Sequence, residues 1–382
     1  MRPVDIIGVG ITSFGKHIEK SLVELGGKAA IEALKDAGIK PSQINAGFFA
    51  NMQAGSLLTD FTIGQNVFWQ AGINRVPVFN IENACTSGSS AFNLAWMGVS
   101  SGAYDMAIVV GAEKLNVPNV GLMIGGKTEL DTLEGLVVPT AFAMRANLHM
   151  ATYGTTKEQL AMVSVKNRRH ASLNPLAQFR DPITVEDVLN SPMIADPLTR
   201  LMCCPNADGA AAIVLCASDL SMRHTSHPVH IAASLVVTGS YENPCNFTQW
   251  DTDIRASSIA YEKAGLGPND LDAVECHDAF AISEILHYEG LGLCPMGEGG
   301  RFIESGATTF GGKIPVNLSG GLLSKGHPIG ATAVAQIVEG VRQLRGEAGS
   351  LQVEDPKVFL AECMGADKAG DVKTCTINIL TK

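Results

Sequence analysis

Residues 33–46 read ALKDAGIKPSQINA, and residues 260–273 read AYEKAGLGPNDLDA. The stretches align without a gap at an offset of 227 residues. Each has a helix-forming end, an Ala-Gly pair, an apolar residue, a proline two places on and a closing alanine. Glycine with a following proline stops a helix, so both copies predict a helix end, a turn and a new element. A duplicated α/β half is the simplest account of the recurrence. The first half is expected to close near Ala217–Ser221 and the second to open at His230, giving halves 1–222 and 223–382. Residues about 115–200, rich in Met, Gly and helix formers, fit neither half and read as an inserted cap.

Outward from the echo, helix and strand patterns alternate. Residues 4–10 read as a strand, and about 21–37 as an amphipathic helix. The short apolar runs 46–51 and 76–82 suit strands. The stretch SSAFNLAWMGVSSG after Cys85 reads as a helix apolar all round, which is expected to be buried on every side. DMAIVV, from Asp105 to Val110, suits a fully buried strand. The alternation predicts a mainly parallel sheet with helices on both faces.

The chain has 382 residues, 46% of them hydrophobic, which is enough for sizeable cores. Only 17% are charged, and the net charge is −10, so a general nucleic-acid binder is excluded and an anionic ligand needs a local basic patch. Nine scattered cysteines in a chain of this size imply reduced thiols. No apolar run reaches the length of a membrane span. With no leader or peroxisomal signal read at either end, the cytoplasm is the expected location.

Four segments carry chemistry. Cys85 lies in NACTSGSSAF, where a strand, a turn of small residues and a helix start follow one another. A thiol there faces the positive end of the helix, which favours thiolate, and Thr86 to Ser90 are small enough to admit a substrate. A buried structural cysteine is the competing reading. His327, in GGLLSKGHPIGATA, has glycines on both sides, suiting a general base or an oxyanion donor in close backbone approach to a ligand. His277, in AVECHDAFA, ends a strand, where ligands bind in parallel sheets. Cys363, in VFLAECMGADKAG, offers a second thiol that can relay a proton.

Other signals fail. Gly8-Val9-Gly10 begins a dinucleotide fingerprint, but Ser13 stands where its third glycine belongs. His224, His227 and His230 are interrupted by Pro228, so no metal site is expected there. Lys166, Arg168, Arg169 and His170 read as a solvated helix face, or one that meets phosphates.

Together the four segments resemble the thiolase superfamily, and ADGAAAIVL (207–215) resembles the strand closing its first half. His277 stands where most members have the Asn of NEAF. It resembles the HDCF motif of the sterol-carrier-protein-2-type subgroup, with Ala279 in place of the motif's cysteine. The resemblance implies an α/β thiolase fold, a duplicated five-layer αβαβα sandwich with an inserted loop domain. It also implies CoA-dependent cleavage of a 3-ketoacyl-CoA, or the reverse condensation, in lipid metabolism such as β-oxidation. Cys85 would be acylated, His327 would take its proton, His277 and His327 would hold the enolate oxygen, and Cys363 would return the proton to C2. The backbone N–H groups of Cys85 and Gly365 would hold the first oxyanion, and His149, in the cap, would lie near the acyl channel.

No bound cofactor or metal is expected, with coenzyme A as co-substrate. A homodimer or homotetramer, and a small zinc-ribbon/OB-type partner subunit, are further expectations. CMGADKAG departs from the glycine run that usually follows the CxG motif, implying a reshaped acyl pocket and a bulky, aromatic or polar acyl group. The competing readings are an acyltransferase or retro-aldolase on a non-fatty substrate, and a non-catalytic CoA- or lipid-binding scaffold.

Overall fold

The structure is a computed structural model that describes residues 2–118, 126, 129–240, 246–368 and 370–382. The first half contains β1 (Val4–Ile11), α1 (Leu22–Asp36), β2 (Ala46–Ala50), α2 (Ile63–Gln70), β3 (Val78–Ile81), α3 (Ser87–Ser100) and β4 (Met106–Glu113). A largely helical stretch follows: α4 (Leu130–Leu133), α5 (Val138–Tyr153), α6 (Lys157–Leu173), α7 (Val185–Leu189) and the short pair β5 (Met193–Ala195) and β6 (Leu198–Thr199). Then come β7 (Gly209–Ala217), α8 (Ser218–Ser221), β8 (Val229–Val237), α9 (Asp251–Ala264), β9 (Ala273–Glu275), α10 (Ala281–Gly290) and α11 (Gly299–Glu304). The chain closes with α12 (Ile329–Arg345), β10 (Val358–Lys368) and β11 (Asp371–Thr381).

The two echoes fold alike. Helices α1 and α9 both end next to a glycine in the left-handed region, Gly38 at φ 64° and Gly265 at φ 67°, where a side chain would be strained. A single 3₁₀ turn follows each, Pro41–Gln43 and Pro268–Asp270, and β2 and β9 start at the aligned alanines, Ala46 and Ala273. Ser21 and Glu24 close the start of α1 as a reciprocal capping box.

Among the described residues nine strands form one sheet in the order β3-β2-β4-β7-β1-β8-β11-β10-β9. Val316 bridges Val274 beside β9, where β3 stands beside β2 in the first half. Each half therefore repeats one order: first strand, last, fourth, second, third. The halves meet across β1 and β8, which pair antiparallel at Asp5↔His230 and Ile6↔Val229. The expected mainly parallel sheet is mixed. β2 pairs parallel with β3 and β4, and β9 with β10, but β7 and β11 run against both neighbours. Around Gly370 the link from β10 to β11 is too short for a crossover, so that pair must be antiparallel.

Three apolar clusters alternate with the strands as a five-layer sandwich requires. α1 and α2 cover one face of the first half, α9 and α10 cover one face of the second, and α3 and α12 fill the middle. A side chain on Gly88 would meet the Gly330 carbonyl at 2.8 Å, so glycine is what lets the starts of α3 and α12 approach. The expectation that α3 is buried all round fails. Leu94 and Met97 are exposed, as is Phe79 on the edge strand β3.

Candidate active site

Cys85 and His327 occupy equivalent places, each directly before the N-cap residue of a central helix, Thr86 for α3 and Pro328 for α12. Because the helix starts converge, His327 Nε2 comes within 3.4 Å of Cys85 Sγ. His277 follows β9, and its ring lies edge-on to that of His327, with centroids 5.3 Å apart. Cys363, in β10, donates its S–H to the Cys85 carbonyl at 3.2 Å. A Cβ built on Gly365 would lie 2.9 Å from the Cys85 nitrogen, so only glycine leaves the space beside that N–H open. Ala84, just before Cys85, holds φ 48°, a left-handed conformation that is costly for alanine and common at functional turns.

Five of the six expected residues thus come together. His149 does not. It is buried, with Nδ1 against Thr155 Oγ1 at 2.9 Å and Nε2 against Glu289 Oε1 at 3.1 Å, so neither nitrogen is free for a substrate. Thr86 and Ser89 do more than make room. They are buried, and their hydroxyls bond those of Thr374 and Thr376 on β11. The reading of residues 166–170 as a solvated face is corrected for all but Arg169. Lys166 bonds Glu284 and the Val316 carbonyl, Arg168 bonds Ser324, and His170 bonds the Asn317 carbonyl.

The thiol also departs from expectation. Burial, reinforced by the nearby Glu113 carboxylate, pushes the Cys85 thiol up to about 12. At that value the resting residue is a neutral thiol. Burial holds His327 down at about 4, so its imidazole is a free base at neutral pH. Burial, then the neighbouring His327 and His287, keep His277 well below the ordinary histidine value. Cys363 is held well above the ordinary thiol value by burial, then by Glu362 and Cys85. Neutral His327 Nε2 thus lies within reach of the Cys85 proton.

Three supports escaped the sequence. Thr332 Oγ1 lies 2.8 Å from His327 Nδ1 and donates to the Pro328 carbonyl at 3.1 Å. Its proton is thus committed, so it accepts from Nδ1–H and leaves Nε2 bare toward Cys85. Glu113, ending β4, accepts from the Gly330, Met52 and Gln53 N–H groups and from Asn51, tying the start of α12 to the loop after β2. Asp278 accepts from the Leu322 and Leu323 N–H groups and from Asn167, anchoring the loop that presents His327. The only sequence sign of Glu113 is an acid closing the apolar run VVGAE.

The hairpin after Cys363 is tied to α5. Ala366 sits at φ 56°, and Asp367 pairs with the buried Arg145 at 3.0 Å. Arg145 also bonds the Gly370 carbonyl and lies over the Trp250 ring at 4.8 Å. The Lys368 side chain and Ala369 lie outside the described residues.

Comparison with known proteins gives the family. Residues 4–219 match the family model "Thiolase, N-terminal domain", and residues 240–376 match "Thiolase C-terminal domain-like". The chain belongs to the thiolase family. It is 41% identical over 387 residues to an acetyl-CoA acetyltransferase of Methanothermobacter thermautotrophicus, covering 100% of both chains. It is also 41% identical over 371 residues to the benzoylsuccinyl-CoA thiolase subunit BbsB of Thauera aromatica, covering 95% of each. Among solved structures, the Ltp2-ChsH2(DUF35) aldolase matches with a TM-score of 0.83 and 26% identity, covering 98% of this chain and 97% of that one. The fold is the thiolase fold, and the protein is an acyltransferase of the thiolase type, with coenzyme A thioesters as its substrates. No described helix is long and apolar enough to cross a membrane.

Proposed function

We propose that Cys85 is the acylated nucleophile of a two-step thiolase reaction, carried by one observation: the Cys85 Sγ to His327 Nε2 contact of 3.4 Å. Sulfur attacks the 3-keto carbon as its proton passes to His327. The Cys85 and Gly365 N–H groups hold the resulting oxyanion, a type of contact worth about 100- to 1,000-fold in rate per donor. The C2–C3 bond breaks, His277 and His327 hold the enolate oxygen, and the Cys363 S–H returns a proton to C2. A second CoA then takes the acyl group from Cys85, its thiol proton restoring the Cys363 S–H while His327 returns its proton to the Cys85 sulfur. Retention of Cys85 favours acyl transfer over aldol cleavage, which needs no acylated nucleophile. Acylation of Cys85 by a 3-ketoacyl-CoA, read by peptide mass, tests the assignment, with Cys85→Ala as control.

The acyl group is proposed to be aromatic or dicarboxylic rather than a simple fatty chain. Support comes from the Arg145–Asp367 pair where glycines usually stand, and from the likeness to BbsB. A role in lipid metabolism such as β-oxidation is the alternative, and cleavage rates across acyl types decide between them. A homodimer is supported by the open edge of β3, with Phe79, Leu94 and Met97 exposed nearby. A small partner subunit is supported by two similar proteins, BbsB, which is named a thiolase subunit, and the Ltp2-ChsH2(DUF35) aldolase. The proposed halves are 1–222, with its cap at about 115–200, and 223–382; the repeated strand order supports the division. A cytoplasmic location is supported by reading the eight described free cysteines as reduced thiols.

A further inference from the structure

We propose that Cys85, His277 and His327 form a binding site for a thiophilic divalent cation, zinc above all, and that the bound ion closes the site to acylation. One ligand atom from each residue lies within 4.8 Å of the other two, and the Cys85 Sγ to His327 Nε2 separation is 3.4 Å. Tetrahedral zinc, with Zn–S near 2.3 Å and Zn–N near 2.0–2.1 Å, sets ligand edges of about 3.4–3.6 Å. The pair already has that spacing, and the two edges to His277, each within 4.8 Å, would close as its ring shifts toward the ion.

The second observation is independent of distance. His277 is buried at 4% exposure, and among the described residues neither of its ring nitrogens has a hydrogen-bond partner. A buried imidazole with both nitrogens unpaired, beside a thiol and a second imidazole, is open to a ligand. His327 carries the outer hydrogen bond expected of a metal-bound histidine: Thr332 accepts from Nδ1–H and leaves Nε2 to ligate. One sulfur and two imidazoles suit zinc better than magnesium or calcium, and three protein ligands leave a fourth position for water. The balance is simple. The Cys85 S–H bond breaks, a Zn–S bond forms, and one proton goes to solvent for each ion bound, with no oxidant or reductant. The sulfur lone pair that attacks the substrate is then committed to the metal. The inhibitory half of the proposal rests on the acyl transfer proposed above, whereas the binding half rests on the cluster alone.

The test separates the two. Cobalt(II) chloride titrated into the chelator-treated full chain is expected to give intense tetrahedral d–d bands and a sulfur-to-cobalt charge-transfer band, saturating at one equivalent. Zinc chloride should displace the cobalt and protect Cys85 from iodoacetamide, read by peptide mass. Cys85→Ser should abolish the charge-transfer band. His277→Gln should weaken binding tenfold or more, and Cys294→Ser should leave the spectrum unchanged. Weak six-coordinate absorption, or a charge-transfer band that persists in Cys85→Ser, would overturn the site. A tight site whose zinc leaves 3-ketoacyl-CoA cleavage unaltered would overturn the inhibition. A metal-free protein that binds cobalt as described but cleaves nothing would count against the proposed reaction while upholding the site.

Discussion

Replacing Thr332 by valine removes one buried oxygen and keeps the side chain's shape. That oxygen now accepts the His327 Nδ1–H at 2.8 Å while donating to the Pro328 carbonyl at 3.1 Å. Without it, Nδ1–H is a buried donor with no acceptor, a state that costs about 1–3 kcal/mol. The imidazole relieves the penalty by moving its proton to Nε2, which then donates toward Cys85 Sγ and can no longer act as a base. The reactive tautomer is depleted by the same free energy, roughly 5- to 150-fold at 25 °C. The assay is single-turnover acylation of Cys85 by a 3-ketoacyl-CoA in a stopped-flow or quench instrument. Thr332→Val should acylate about 5- to 150-fold more slowly with little change in substrate affinity, and Thr332→Ser, which keeps the hydroxyl, should stay within about threefold of wild type. Valine acylating as fast as wild type, or serine as slowly as valine, would refute the tautomer argument.

Other perturbations have equally definite outcomes. Gly365→Ala places a methyl group 2.9 Å from the Cys85 nitrogen and should lower acylation by about 100- to 1,000-fold, the value of one oxyanion donor, with the fold intact by circular dichroism. Burial raises Glu113 to about 7, so the folded protein holds that proton more tightly than the unfolded chain. Stability contributed by this group therefore falls as pH rises from about 4.5 to about 7, by roughly 3 kcal/mol, and is level above; urea midpoints should lose that slope in Glu113→Gln. Because His327 stays neutral down to about 4, the acylation rate should show no histidine titration near 6.5, and any inflection near 7 should vanish in Glu113→Gln. Arg145→Met strands Asp367 at a partly exposed position and should cost about 2–4 kcal/mol in denaturant unfolding.

The duplication and the site blocks were legible because their signals are local. The Ala-Gly-x-x-Pro echo forces two helix stops and two strand starts wherever it occurs, and Cys85 and His327 sit at helix starts marked by glycine and proline. The reversed β7 and β11 were hidden, since an apolar run carries no arrow of direction. The partial exposure of α3 was hidden because the apolar residues Leu94 and Met97 read the same whether a second surface or solvent lies beyond them. His149 misled because a histidine in an expected cap says nothing of a glutamate 140 residues away that holds its Nε2. The buried Lys166, Arg168 and His170 misled for a similar reason, since Glu284 and Ser324 lie far along the chain. The thiolate expectation rested on the helix dipole, which the sequence shows, while the burial and the Glu113 carboxylate that raise the thiol exist only in the fold. Thr332 was invisible inside ATAVAQ, because its worth depends on a bond to His327 that exists only once α12 turns.

The most direct test of the central claim is intact-peptide mass spectrometry of the chain quenched during turnover of a 3-ketoacyl-CoA panel: acetoacetyl, long-chain, aromatic and dicarboxylic. The account predicts that the peptide bearing Cys85 gains the mass of the shortened acyl group, that added CoA discharges it, and that Cys85→Ala shows neither the adduct nor cleavage. Cleavage that continues in Cys85→Ala, or an acyl group carried on any other residue, would contradict it.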